Sequence, residues 1–170
     1  MRTLLTGLSF FILTSSFGQD LEKQKAVIDA EVERISKQRR LEAVNFSIQA
    51  LKKALHYISY EYVENQRGYV KISRQFSKKW DTILQTFYLK DGSLVYATEK
   101  ITTYYSDKGK TDSIPWSGNF YFVKDKLIDH VTLGHGKSEI DIWNPEQEML
   151  TAYRESKRDI ARYKRKKKGS

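Results

Sequence analysis

The stretches FYLKDGSLV, beginning at Phe87, and FYFVKDKLI, beginning at Phe120, follow one pattern: Phe-Tyr-apolar, four residues, then Leu followed by Val or Ile. In the first, Asp91-Gly92 marks a two-residue hairpin turn, because both central positions of the favoured turn need φ > 0. That turn sets a register with Lys90 opposite Ser93, Leu89 opposite Leu94, Tyr88 opposite Val95 and Phe87 opposite Tyr96. Side chains alternate along a strand, so Phe87, Leu89, Leu94 and Tyr96 share an apolar face while Tyr88, Lys90, Ser93 and Val95 share a mixed one. Superposing the second phrase places Phe120, Phe122 and Leu127 on the equivalent apolar face. It also puts Lys124-Asp125 at the turn without a glycine, and Asp129 where Tyr96 stood. YISYEYVENQRGYVKI reads as a third, degenerate copy with Gly68 in its loop. The repetition encodes hairpins that reuse one packing solution.

The surrounding chain keeps the two-residue period. YISYEYV, GYVKISRQF, WDTILQTFYL, SLVYATEKITTYY, WSGNFYFV and KLIDHVTL are rich in Tyr, Phe, Val, Ile and Thr and are bounded by turn residues, as half-buried strands are. They predict an antiparallel meander of about six strands. The connection SDKGKTDSIP, with its Gly, Asp, Ser and Pro, is expected to form a long mobile hairpin tip. Upstream, Leu21, Ile28, Val32 and Ile35 make one narrow apolar stripe of a helix over about Asp20 to Gln38, with Glu33 and Lys37 paired on its wet side. LEAVNFSIQALKKALHYI fits either a second helix or a first strand. Downstream, Asn144 as cap, Pro145 at the first helical position and Gln147 three after the cap start a helix. Its stripe is Met149, Tyr153, Ile160 and Tyr163. The fold class is therefore α+β, one domain over residues 19–163, followed by a basic disordered tail at 164–170.

The order of charged helix and paired hairpins of the form Phe-Tyr-Phe-x-x-x-x-Leu-Ile, over about Ile35 to Ile142, resembles a group of uncharacterised exported bacterial proteins built on tandem aromatic hairpins. This chain departs from their usual glycine turn at Val123 to Lys126. The resemblance implies a fold and an exported address, and carries no catalytic residues.

Export is also read from the N-terminus. Arg2 and the apolar run LLTGLSFFIL have the form of a signal peptide over residues 1–18, with Ser16 and Gly18 as the small residues before a cleavage ahead of Gln19. The run is shorter than a membrane span, and no transmembrane segment is expected later. The chain has no cysteine, which excludes a disulfide framework, a thiolate nucleophile, a cysteine metal site and lipid attachment at a cleavage-site cysteine. The formal charge is +9, but eight basic residues against one acid lie between Lys157 and Lys168, so the rest of the mature chain is near neutral. Nucleic acid is accordingly an unfavoured partner. Lys164, Arg165, Lys166, Lys167 and Lys168 are instead the candidate anchor for anionic lipid or another polyanion.

Catalytic motifs are scarce. GHGKS, Gly134 to Ser138, lacks the earlier glycine of a phosphate-binding loop, since Val131 stands in its place. His130 and His135, with Glu139 and neighbouring acids, are the weak candidates for proton transfer, and would serve a small exported hydrolase. No metal site or cofactor is expected. Adjacent aromatic pairs force one member to the outer side of a one-sided sheet, which makes Tyr88, Tyr104, Tyr105 and Tyr121 candidates for a binding face. The favoured reading is a non-enzymatic periplasmic or secreted interaction module whose partner is an envelope protein, peptide or glycan.

Overall fold

A computed structural model describes residues 9–37, 43–50, 56–107 and 110–169. The chain divides into two compact units, Met1–Lys37 and Gln38–Ser170. The first contains helix α1, Ser9–Lys37, which starts well before the expected Asp20. Of its stripe, Ile28 and Ile35 are buried. Glu33 and Lys37 pair across one turn at 2.5 Å, as their spacing requires.

The second unit holds seven antiparallel strands in simple sequence order: β1 Ala43–Ala50, β2 His56–Asn65, β3 Gly68–Lys78, β4 Asp81–Lys90, β5 Ser93–Asp107, β6 Lys110–Val123 and β7 Lys126–Leu133. The ambiguous stretch before His56 supplies the extra strand, β1, while residues 41–42 and 51–55 lie outside the described residues. Helix α2, Pro145–Lys168, completes an α+β fold. Asn144 caps it by accepting from the Gln147 N–H at 3.0 Å, with Pro145 at its first position.

The repeated phrase is repeated in structure. In both hairpins the two turn residues have positive φ: Asp91 and Gly92 in one, Lys124 and Asp125 in the other. Leu89 lies opposite Leu94, and Phe122 opposite Leu127, as expected. The register then corrects the sequence reading. A one-residue bulge sets Tyr88 opposite Tyr96 and Phe87 opposite Ala97, and at the equivalent place Tyr121 opposite Asp129 and Phe120 opposite His130. An extra residue reverses the phase of alternation, so Tyr96 leaves the core face and Ala97 replaces it. The hairpin of β2 and β3 carries its bulge at the same position, after Val63, although its positive φ falls on Gly68. The third copy is therefore real. The amides of Leu94 and Leu127, equivalent positions in the two bulged hairpins, each donate at 2.8 Å to a carboxylate, Asp125 and Glu146 respectively.

The expected long tip between β5 and β6 is also corrected. The ladder continues to Asp107 opposite Lys110, leaving only residues 108–109, which lie outside the described residues. Pro115, which cannot donate to a ladder, lies beyond the last β6–β7 pair, Ser117 with Leu133, where no neighbour needs its nitrogen.

The core lies between one sheet face and α2. Phe87, Leu94, Ala97, Phe120 and Phe122 pack against Met149, Ala152, Tyr153 and Ile160, all buried. Tyr153 also donates to the Gly92 carbonyl at 3.0 Å, fastening the helix to the first turn. At the far end Tyr163 stacks on Phe46 with ring centroids 4.0 Å apart.

Candidate functional site: two faces of one sheet

The inner face has two apolar cross-strand rows with a polar row between them. The apolar rows are Val44, Tyr62, Ile72, Phe87, Ala97 and Phe120, and Ile48, Ile58, Phe76, Ile83, Ile101 and Trp116. Between them Tyr60, Arg74, Gln85 and Glu99 lie directly opposite one another on β2 to β5. Arg74 donates through Nε to Gln85 Oε1 and Gln85 donates through Nε2 to Glu99 Oε1, both at 2.6 Å. Lys137, from the single 3₁₀ turn Lys137–Glu139 after β7, sets its ammonium 2.5 Å from Glu99 Oε2 and 2.5 Å from Glu148 Oε1. Trp143 donates to the other oxygen of Glu148 at 2.8 Å, and Arg74 reaches Glu155 at 3.2 Å. Gly118, next in the polar row, leaves room for the Phe120 and Trp116 rings, the former within 2.6 Å of where a Cβ would stand.

This chain of groups forms one wall of a cleft of about 850 Å³ between the sheet and α2, with Ile140 and Ile142 on its rim. Glu99 is 1% exposed, and burial pushes its carboxyl up from the ordinary value while the Lys137 ammonium pulls it back. Burial, then the 2.7 Å bond to Asp159, raise the Tyr60 hydroxyl. Each charge of the chain is spent on another member, which suits holding α2 and the Lys137 turn to the sheet.

Arg74, Gln85, Glu99, Glu148 and Glu155 did not stand among the sequence candidates. Their signal was present: Arg74, Gln85 and Glu99 occupy the apolar phase of three consecutive strands, between Ile72 and Phe76, Ile83 and Phe87, and Ala97 and Ile101. The proton-transfer candidates fall apart into two unrelated settings. His130 is stacked against Phe120 and edge-on to Trp143 at the end of an apolar row. His135 is exposed in the turn, where its Nδ1 lies 2.7 Å from Glu139 Oε1. No group of three or more His, Asp or Glu side chains gathers as metal ligands would among the described residues.

The outer face carries a row of three tyrosines. Tyr88, Tyr96 and Tyr121 are directly opposite one another on β4, β5 and β6, with ring centroids 5.8 and 5.0 Å apart. Lys71 and Asp129 continue the row on β3 and β7. The structure thus joins Tyr88 to Tyr121 through a residue that sequence had placed in the core, since only the bulge turns Tyr96 outward. Tyr104 and Tyr105 do not belong to this row. Eight residues of strand, about 27 Å, separate Tyr96 from Tyr104. Tyr105, its neighbour on the opposite face, donates to Asp112 at 3.1 Å.

The basic segment differs from its expected disorder, because α2 remains helical to Lys168. Lys164 is held in place: its ammonium lies 2.5 Å from Glu64 and over the rings of both Tyr62 and Tyr69, at 5.0 and 4.8 Å. Arg165, Lys166, Lys167 and Lys168 are exposed on the last turn. No helix among the described residues is long and apolar enough to cross a membrane.

Comparison with known proteins finds no match to this chain among family models, curated proteins or solved structures.

Proposed function

We propose that the chain is an exported, non-enzymatic binding module, periplasmic or secreted, that uses the outer sheet face as its ligand surface. The observation that carries this reading is the Tyr88, Tyr96, Tyr121 row, three half-buried aromatic rings in mutual contact on the sheet face opposite the one that α2 packs against. Aromatic side chains with a polar tip supply large contact area at small conformational cost, which is why they are enriched where proteins meet ligands. The inner face is committed to packing and to its own ion pairs, and the histidines have no shared setting in which one could activate a nucleophile for the other. Export is supported by the Arg2 and LLTGLSFFIL pattern.

The basic end of α2 is a second contact, for anionic lipid headgroups. Cations at a helix C-terminus are favoured by the backbone dipole, and four exposed ones on a single turn add about 1 kcal/mol each near an anionic surface. Lys164 is occupied by the sheet and contributes little to that contact.

Envelope extract passed over immobilised residues 19–170 tests the first contact. Material retained by the native chain and lost with the Tyr88→Ala, Tyr121→Ala double variant supports the reading; equal retention by both contradicts it. Cosedimentation with anionic vesicles, lost when Arg165 to Lys168 are changed to Ser, tests the second.

A further inference from the structure

The commitment of the inner face to packing ends at the polar row. Helix α2 sits on the first apolar row, where Phe87, Ala97 and Phe120 meet Met149, Ala152 and Tyr153. The second row lies four residues further along each strand, about 13 Å away. A helix is about 10 to 12 Å across, so one that sits on the first row leaves the second open. Phe76 and Ile101 of that second row are half-buried, and Ile140 and Ile142 beside them are 54% and 91% exposed. These four give the cleft of about 850 Å³ its apolar floor and rim. The Arg74 guanidinium lies 5.3 Å from the centre of the Phe76 ring, where the polar row borders the cleft.

The two segments that frame the cleft are held by backbone bonds. The Ile140 N–H donates to the Lys137 carbonyl at 3.1 Å and the Trp143 N–H to the Ile140 carbonyl at 2.9 Å, which fixes the stretch carrying both isoleucines. The β3–β4 turn, which brings Lys78 and Lys79 to the cleft, is tied to β5: Tyr104 N–H donates to the Trp80 carbonyl at 2.9 Å and Thr103 Oγ1 donates to Asp81 at 2.7 Å. A concave, largely pre-formed site with apolar lining and a few placed charges is the usual form of a small-ligand pocket.

The charges of the lining are not equivalent. Glu99 and Glu148 share Lys137, Glu155 holds Arg74, and Asp81 accepts from Thr103. Lys78 and Lys79 are exposed and have no partner among the described residues. A ligand that satisfies what is left over has a hydrocarbon body for the open apolar row and an anionic end for the two ammonium groups. A polar body would leave Ile140 and Ile142 in water, and a cationic end would meet like charge.

We infer that this cleft binds a single-chain anionic amphiphile of the long-chain carboxylate kind, with its hydrocarbon on Phe76, Ile101, Ile140 and Ile142 and its head at Lys78 and Lys79. The site is separate from the outer face and from the basic end of α2, and does not rest on the use proposed for either.

The test titrates the full chain by calorimetry with decanoate below its micelle concentration, with decanol and decyltrimethylammonium as comparators of equal chain length. The inference expects saturable one-to-one binding of decanoate, at least about tenfold tighter than that of decyltrimethylammonium. The Lys78→Glu, Lys79→Glu variant should remove that preference. The Ile140→Ser, Ile142→Ser variant changes exposed positions, so it should keep the thermal melt and weaken all three amphiphiles. Changing Arg165 to Lys168 to Ser, or Tyr88 and Tyr121 to Ala, should leave decanoate binding as it was, which separates a failure here from a failure of either proposed contact. No saturable binding of decanoate, or binding that neither cleft variant weakens, overturns the inference. Equal affinity for the three head groups overturns the anionic assignment. Binding to anionic vesicles alone, lost with the basic-end variant and without any response to monomeric decanoate, overturns the cleft and leaves the lipid contact of the helix end standing.

Discussion

The inner and outer faces of the sheet are written with the same alternating strands, yet they solve opposite problems. The inner face buries Phe87, Phe120 and Phe122 completely and encloses even its charged residues. The outer face mixes hydroxyls and amides with the aromatic row and with the exposed apolar residues Leu84, Val131 and Leu133. Adjacent residues can therefore differ more in role than residues on distant strands: Phe120 belongs to the core and Tyr121 to the outer aromatic row. The difference teaches that the Phe-Tyr pair in each repeated phrase is a unit with two destinations, one for stability and one for contact.

The largest expected effect lies in the inner core. Phe87→Ala should cost about 3 to 5 kcal/mol in a denaturant melt, because a fully buried ring leaves a cavity that the sheet and α2 cannot both close. Next is the polar row. Lys137→Met leaves Glu99 buried without its cation and should cost about 3 kcal/mol, the low end for breaking a buried pair because Lys137 keeps 16% of its side chain exposed.

Glu99 also gives the inner face a pH signature. Its folded carboxyl lies above the ordinary value of 4.5, so its stabilising share is complete below that value and is lost as pH rises through the raised one. Stability measured from acid toward neutral pH should carry a falling component that Glu99→Gln removes. An unchanged slope in that variant would mean that the carboxylate is fully compensated by Lys137.

A smaller effect is expected where the end of α2 meets the β2–β3 hairpin. Lys164→Ala removes an ammonium shared by Glu64, Tyr62 and Tyr69 at a partly exposed site and should cost about 1 kcal/mol. His135→Ala, at an exposed turn, should move the melt by no more than about 0.5 kcal/mol.

Much of this division was legible in the residues. Asp91-Gly92, the Phe and Leu positions of both phrases and the cap at Asn144 declared the hairpins, six members of the inner face and the start of α2. The bulges were not legible, because an extra residue has no composition of its own; Val95 reads as an ordinary strand residue until pairing shows that Tyr96 has changed sides. The polar row was missed for a different reason. Gln85 and Glu99 sit in the apolar phase of their strands, but their polar type outweighed that phase, and what pairs them appears only when three strands place them side by side beneath α2. The basic end was misread because charge density suggested disorder, whereas Lys164 has a built receptor on β2 and β3.

The two-destination account is tested most directly by changing neighbours. Phe120→Ala and Tyr121→Ala should be compared side by side for thermal melt and for retention of envelope material by the immobilised chain. The account predicts that Phe120→Ala lowers the melting temperature by many degrees, whereas Tyr121→Ala leaves the melt nearly in place and weakens retention about tenfold. Equal destabilisation by the two changes, or full retention by Tyr121→Ala, would contradict it.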